Sequence, residues 1–145
     1  MQKAVSTGRL GMPSKLREQY RGAKDLLVYQ KAYGLAMEIF QISKSWPVEE
    51  KYSLIDQIRR SSRSVCANLR EAWAKRRYEA HFISKLTDAD GENCETDTWL
   101  DFAKDCGYIT PKDHARLTVD CHEIGAMLGG MLKDSSPFIL SSRSA

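Results

Sequence analysis

The histidines and their neighbouring carboxylates are the first residues to test for chemistry, because helical proteins often hold metal ions with Glu-x-x-His pairs on facing helices. The chain has three histidines, His81, His114 and His122, and none has an acid three positions before it. A single Glu-x-x-Glu spacing occurs at Glu92 and Glu95. We therefore predict no metal site and no cofactor.

The cysteines are the strongest candidate nucleophiles by residue type. Cys121 lies on an apolar helical stripe, where a buried and inert thiol is typical. Covalent catalysis also needs a base and an orienting group in a cleft, and the chain has no glycine-rich phosphate loop. The sequence predicts no catalytic residues and no enzyme. The four cysteines share no CxxC spacing and are expected to be reduced, buried residues of a cytoplasmic protein: Cys66, Cys94, Cys106 and Cys121.

Charge is distributed unevenly along the chain, although the net charge is only +3. Residues 1–24 carry six basic residues and one acid, and residues 49–77 carry eight basic residues and four acids. Residues 78–107 reverse the balance, with eight acids and two lysines. This pattern indicates either two neighbouring helices that pair through their flanks, or a basic face for nucleic acid or an acidic partner. The candidate binding residues are Arg59, Arg60, Arg63, Arg70, Lys75, Arg76 and Arg77.

Four segments with apolar periodicity must position these residues. Apolar side chains recur at spacings of three and four within residues 25–45, 50–75 and 79–106, and again from residue 110 onward, which predicts a helix in each. The connections are short, so consecutive helices must run antiparallel. The predicted fold is all-α, an antiparallel up-down-up-down four-helix bundle over residues 25–134.

Capping signals mark the turn between the third and fourth predicted helices. Thr110 is a typical N-cap, Pro111 suits the first helical position, and Asp113 adds an acid to the first turn. Gly107 is a typical left-handed residue after a helix C-terminus. We expect the third helix to end, and the fourth to begin, at these residues.

The length and composition of the chain indicate the size and class of the protein. A length of 145 residues, with 42% hydrophobic and 28% charged residues, corresponds to about one globular domain. No apolar run approaches the ~18–20 residues that span a bilayer, and we expect no membrane association. Residues 1–24 share the composition of a transit peptide, but we favour a flexible basic arm. Residues 135–145 are predicted to form a C-terminal tail.

Polar residues interrupt the apolar stripes of the second and third helices. Buried polar groups are unfavourable unless they are hydrogen-bonded. We predict a structural network that fixes helix register, in which Asn68 and Glu71 pair with Asn93 or Glu95; a ligand-facing or subunit-facing role is the alternative. The network is predicted to comprise Ser64, Asn68, Glu71, Asn93 and Glu95, with Ser61, Ser62 and Thr96 beside it.

The first and third helices carry more aromatic residues than one apolar stripe requires. A helix in a lone bundle needs about three apolar residues per heptad. The surplus would leave an exposed patch of a kind that soluble monomers rarely tolerate. We therefore predict self-assembly through these residues, and heterologous contacts of this kind close into rings. The predicted subunit-interface residues are Tyr29, Tyr33, Phe40, Trp99 and Phe102.

The order and spacing of several of these residues resemble a bacterial protein family. The first segment that carries the resemblance is Asp25-Leu26-x-Val28-Tyr29-Gln30-Lys31-Ala32, with tyrosine where the family usually has tryptophan. The second comprises Gln57-Ile58-Arg59-Arg60, Ser64-Val65, Asn68, Glu71, Phe82, Leu86, Ala89, Glu95, Leu100, Ala103 and Gly107-Tyr108-Ile109. Residues 25–134 thus resemble the S23-like proteins, which are encoded by intervening sequences of 23S ribosomal RNA genes. Ala72 and Glu92 depart from the family pattern.

The resemblance implies a non-enzymatic protein that assembles into a ring-like homopentamer. It also implies kinship with the accessory proteins of diversity-generating retroelements, which are basic pentamers that bind reverse transcriptase and nucleic acid. We therefore expect an oligomer that binds RNA or DNA largely through phosphates, alongside a nucleic-acid enzyme such as a reverse transcriptase. The alternative function is a protein–protein interaction scaffold whose arginines serve subunit contacts.

Overall fold

The computed structural model describes residues 20–140 of the chain. It contains four α-helices, labelled α1 (Leu27–Ile42), α2 (Asp56–Ala74), α3 (Glu79–Asp105) and α4 (Pro111–Lys133). The rest of the described chain forms short 3₁₀ and π turns and loops, and it contains no strand. The predicted all-α class with four helices is therefore confirmed.

The turn between α3 and α4 has the capping that the sequence predicts. The hydroxyl oxygen of Thr110 accepts a hydrogen bond from the backbone N–H of Asp113 at 3.0 Å. Gly107 has a φ of 81°, a left-handed conformation that L side chains rarely adopt. The N–H of Tyr108 then donates to the carbonyl of Ala103, which closes the last turn of α3 as a Schellman motif. The residues of this turn therefore define where α3 ends and where α4 begins.

The start of the second helix differs from the helix predicted over residues 50–75. The regular helix begins only at Asp56, after a π turn over Lys51–Ile55. A π turn contains more residues per turn than an α-helix. The adjacent side chains of Leu54 and Ile55 are both buried there.

Contacts between helices show that neighbouring helices run in opposite directions. Between α2 and α3, Arg60 pairs with Glu95 at 3.1 Å and Glu71 pairs with Lys85 at 2.7 Å, so partner numbers fall along α3 as they rise along α2. The α3–α4 and α1–α4 contacts are reversed in the same way: Asn93 with Cys121, Asp101 with His114, Lys31 with Glu123, and Glu38 with Arg116. The helix α1 contacts both α2 and α4, which closes the bundle.

Each helix contributes a stripe of fully buried side chains to a single core. These stripes follow the apolar spacing in the sequence, because residues three or four apart lie on one side of a helix. The largest members of the core are Ile39, Ile58, Leu69, Phe82, Leu86, Leu100, Leu117, Ile124 and Leu128. Among residues 20–140, no helix is both long enough and apolar enough to cross a membrane.

The N-terminal end of the described chain packs against the bundle. The Tyr20 ring meets Trp73 edge-on, with 6.5 Å between ring centroids, and Ala23 is buried. The last residues of the arm predicted over 1–24 therefore belong to the folded unit, because they cover apolar surface of α2. Residues 1–19 of that predicted arm lie outside the described residues.

The C-terminal end also packs against the bundle. Phe138 stacks on Phe82, with 6.2 Å between ring centroids, and the Ser135 hydroxyl donates to a carboxylate of α3 at 2.6 Å. The tail predicted over 135–145 is thus folded at its start, because an aromatic side chain anchors it. Its last five residues, 141–145, lie outside the described residues.

Candidate nucleic-acid interface

The seven candidate cations of α2 and the following turn have different surroundings. Arg59 is half-buried, and its side chain binds other residues of the same chain. Its Nε donates to the Ser43 hydroxyl oxygen at 2.8 Å, and its guanidinium lies 4.9 Å from the centre of the Phe40 ring. It also donates to the Phe40 carbonyl near the C-terminus of α1. Cations stabilise helix C-termini. Arg59 of α2 therefore stabilises the end of α1 and links the two helices.

Arg60 is paired with the acidic side of α3. It lies 3.1 Å from Glu95 and 3.9 Å from Glu92. The indole N–H of Trp99 donates to the same Glu95 oxygen at 3.1 Å. These contacts of Arg60 agree with the interpretation that the basic and acidic helices pair through their flanks.

Arg76 is held against the end of α2. Its guanidinium lies 3.8 Å from the Trp73 ring centroid, and its Nε donates to the Trp73 carbonyl at 2.8 Å. Burial lowers the pKa of Arg76, although a guanidinium remains charged at neutral pH. The side chain therefore stacks within the chain and its charge is partly covered.

The other four candidate cations are exposed to solvent. Arg63, Arg70, Lys75 and Arg77 have no carboxylate within 4 Å among residues 20–140. Arg63 and Arg70 are seven residues apart, which places them on the same side of α2 and roughly 10 Å apart along its axis. Among the seven candidate cations, these four are the ones that are exposed and whose positive charge is not paired within residues 20–140.

Aromatic side chains of α1 lie beside this basic side of α2. Tyr29 and Tyr33 stack on each other, with 6.2 Å between centroids, and the guanidinium of Arg63 lies 5.6 Å from the Phe40 ring. Met37 and Arg63 line a cleft together with both tyrosines. We call the surface formed by Tyr29, Tyr33, Met37, Phe40 and Arg63 the α1–α2 strip.

The structure corrects the predicted pairing of Asn68 and Glu71 with polar residues of α3. The side-chain amide of Asn68 donates to the Ser64 carbonyl at 2.9 Å, one turn earlier in its own helix. Glu71 is exposed and pairs with Lys85 at the surface. Asn68 and Glu71 lie outside the buried stripe of α2, so their side chains do not point toward the polar residues of α3 in the core. A surface pair of this kind contributes under about 1 kcal/mol.

The polar contacts that do lie in the core use other pairs. The buried hydroxyls of Ser61 and Thr96 are hydrogen-bonded at 2.8 Å between α2 and α3. Asn93 faces α4, where its amide donates to the Cys121 carbonyl at 2.8 Å, and Glu95 is engaged by Arg60. The predicted network is thus replaced by separate contacts that tie α3 to each of its neighbours.

The predicted subunit-interface residues form two clusters of different character. On α3, Trp99 packs beside Phe102, with 5.9 Å between centroids, and Phe102 is 53% exposed. On α1, Tyr33 is 55% exposed, whereas Tyr29 and Phe40 are half-buried. Sequence reasoning did not single out Met37, also exposed, although its spacing of four residues from Tyr33 indicates a shared side of the helix. Their role in assembly stays a prediction.

The cysteines are all free thiols, but only two are buried. The expectation of burial is wrong for Cys94 and Cys106, because both lie outside the apolar stripe of α3. Burial raises the pKa of Cys66 to about 11 and that of Cys121 to about 12, so neither is a thiolate at neutral pH. Within residues 20–140, no three His, Cys, Asp or Glu side chains are placed to hold a metal ion.

Comparison with known proteins places this bundle in a family. The family model described as "23S rRNA-intervening sequence protein" matches residues 24–130, which is most of the chain. The chain belongs to this family. Its fold is also similar to a crystal structure from the S23 ribosomal protein family of Bacteroides thetaiotaomicron VPI-5482, with 33% sequence identity and a TM-score of 0.67.

The structural match covers most of both chains. It spans 74% of this chain and 96% of the Bacteroides chain, which is itself described as a protein with unknown function. No curated protein matches the chain significantly. The resemblance to S23-like proteins is therefore confirmed, and the relatives supply the fold.

Proposed function

We propose that this chain is a non-enzymatic module that binds RNA or DNA, mainly through phosphates. One observation carries the proposal: Arg63, Arg70, Lys75 and Arg77 are exposed, and no carboxylate of the described residues pairs with them. Cations of this kind bind phosphate oxygens without reading base sequence. We therefore expect salt-dependent binding with little sequence preference.

The described part of the N-terminal segment adds charge at one end of this surface. Residues 1–24 carry six basic residues and one acid. They join the bundle at Tyr20, which packs against Trp73 in the last turn of α2. Lys75 and Arg77 follow directly in the next turn. Arg21 and Lys24, which follow Tyr20, therefore lie at the same end of the bundle as Lys75 and Arg77.

Charge reversal tests the proposal. The triple variant Arg63→Glu, Arg70→Glu and Arg77→Glu is expected to bind a fluorescein-labelled 20-nucleotide oligo(dT) about 10- to 100-fold more weakly than wild type, because it replaces three phosphate contacts by repulsion. The measurement is fluorescence anisotropy at ~50 mM salt, where non-specific electrostatic binding is strong.

A second triple variant controls for net charge. It reverses three lysines at the opposite end of the bundle from Lys75 and Arg77: Lys51→Glu, Lys104→Glu and Lys112→Glu. We expect its affinity to stay within about threefold of wild type, since charges separated by more than a Debye length are largely screened. Equal losses in both variants would contradict a localised site. Loss of assembly by the first variant, with no wild-type binding, would instead support the scaffold alternative.

We further propose that the chain forms a closed homo-oligomer, a ring of five as the family resemblance implies. The Trp99–Phe102 cluster supports this, because both side chains are apolar, Phe102 is exposed, and the neighbouring Glu95 carboxylate is already engaged by Arg60. Surfaces of this kind are typical of subunit contacts. Five copies would concentrate about fifteen net positive charges on one particle, which steers polyanions toward it.

The mass of the particle in solution tests the ring. Light scattering after size exclusion is expected to give about five times the chain mass of 16.5 kDa. Phe102→Ala should shift the mass toward smaller species, because it removes the exposed ring of the cluster. A mass of one chain at all concentrations would contradict assembly, and a stable dimer would contradict the ring.

A further inference from the structure

The α1–α2 strip contains two clefts that share one pair of aromatic rings. The first cleft has a volume of about 370 Å³ and is lined by Lys24, Tyr29, Gln30 and Tyr33. The second has a volume of about 230 Å³ and is lined by Tyr29, Tyr33, Ala36, Met37, Arg63 and Cys66. The tyrosine pair therefore borders two hollows on the surface.

The two rings are arranged as a stacking platform. Tyr29 and Tyr33 are nearly parallel, with an interplanar angle of 29°, and Tyr29 is half-buried against the bundle. Tyr33 is the outer member and leaves more than half of its surface open to solvent. An outer ring supported by an inner one offers a rigid aromatic face at low entropic cost.

The charged residues that line the two clefts are of one sign. Lys24 belongs to one cleft lining and Arg63 to the other, and neither lining contains an aspartate or a glutamate. By contrast, the aromatic cluster of α3 includes the carboxylate of Glu95 as the acceptor of an indole N–H. These clefts therefore suit a ligand that is both anionic and planar aromatic.

We propose, resting on the proposed function, that the α1–α2 strip binds single-stranded nucleic acid, with a base stacked on Tyr33 and the flanking phosphates beside Lys24 and Arg63. A duplex hides the faces of its bases, whereas a single strand can turn them onto an aromatic side chain. Alternation of aromatic rings with cations is the pattern that such strands favour. The strip thus adds a preference for unpaired strands to the phosphate contacts of α2.

Three probes with equal numbers of phosphates per strand test this inference: a 20-nucleotide oligo(dT), an abasic 20-mer, and the oligo(dA)·oligo(dT) duplex. We expect wild type to bind oligo(dT) more tightly than either of the others. Tyr33→Ala should weaken oligo(dT) binding by roughly 5- to 150-fold, the contribution of one stacked base, and leave abasic binding unchanged. Tyr33→Trp should retain the wild-type preference, because it keeps an aromatic face.

A matched control and a direct contact measurement complete the test. Tyr52→Ala removes another exposed tyrosine that lies beside a lysine, and it should change nothing. Photocrosslinking of 5-iodouracil-substituted oligo(dT) should label the peptide that contains Tyr33.

Two results overturn the inference while leaving phosphate binding intact. One is equal affinity for all three probes with no effect of Tyr33→Ala. The other is a fall in particle mass for Tyr33→Ala, which would make the strip a contact between copies of the chain. Absence of binding to every probe would contradict the proposed function itself.

Discussion

Leu117→Ala is expected to lower the free energy of unfolding by about 2–5 kcal/mol and the melting temperature by about 5–15 °C. Leu117 is completely buried and lies on the stripe of α4 that faces the core. The truncation removes buried methyl groups and leaves a cavity that a close-packed core fills only partly. Thermal and denaturant unfolding followed by circular dichroism would measure the change.

Val119→Ala is the matched control for that variant. Val119 lies two residues later in α4 but is 50% exposed, so its truncation should change stability by no more than about 0.5 kcal/mol. Similar losses in the two variants would mean that α4 presents a different side to the core than the one described.

Thiol reactivity should divide the four cysteines into two pairs that differ by at least about a thousandfold in rate. Cys94 and Cys106 are exposed and should react with a disulfide reagent at pH 8, Cys94 more slowly because partial burial and the nearby Asp90 and Asp97 raise its pKa. Cys66 and Cys121 are buried, and burial raises their pKa to about 11 and about 12. Their modification must wait for opening of the bundle, which is rare in a stable domain.

The same pKa shifts set the alkaline behaviour of the fold. A thiol whose pKa is raised by folding stabilises the native state below its unfolded pKa of about 8.5–9, and that stabilisation is lost as the pH rises toward 11 to 12.

The variant Cys94→Ser/Cys106→Ser is the control for the reactivity measurement. It should show only the slow modification of Cys66 and Cys121 until guanidinium unfolds it. Rapid modification of all four thiols in the native wild-type protein would contradict the described core.

Local rules account for what the sequence predicts well. The hydroxyl of Thr110 and the missing Cβ of Gly107 act on backbone groups within a few residues, so their effect can be read without knowing the fold. The apolar stripes are equally local, because helical geometry alone brings residues three and four apart to one side. These features were enough to predict the number and the approximate limits of the helices.

Contacts between distant residues explain what the sequence does not predict. Arg59 and Arg63 are four residues apart in the same helix, yet only Arg59 reaches Ser43, sixteen residues earlier, and becomes part of the packing. Asn68 satisfies its amide within its own helix. Such outcomes depend on the rotation of α2 against α1 and α3, which residue types alone do not define.

The candidate site is likewise only partly predictable from the sequence. A basic second helix is visible in the charge pattern, but Tyr29 and Tyr33 meet Arg63 only because α1 packs beside α2. The sequence placed both tyrosines at a subunit contact from their surplus apolar character. The structure adds the charge around them, which is the observation that favours an anionic aromatic ligand.

The salt dependence of wild-type binding to 20-nucleotide oligo(dT) would show whether phosphate contacts hold the strand on the protein. A single strand held by about three phosphate contacts per chain should lose affinity with a slope of about −2 or steeper in a plot of log K against log salt, over roughly 50–300 mM salt. We expect that slope, together with saturable binding at the lowest salt. No binding at ~50 mM salt, or an affinity that does not change across the series, would contradict it.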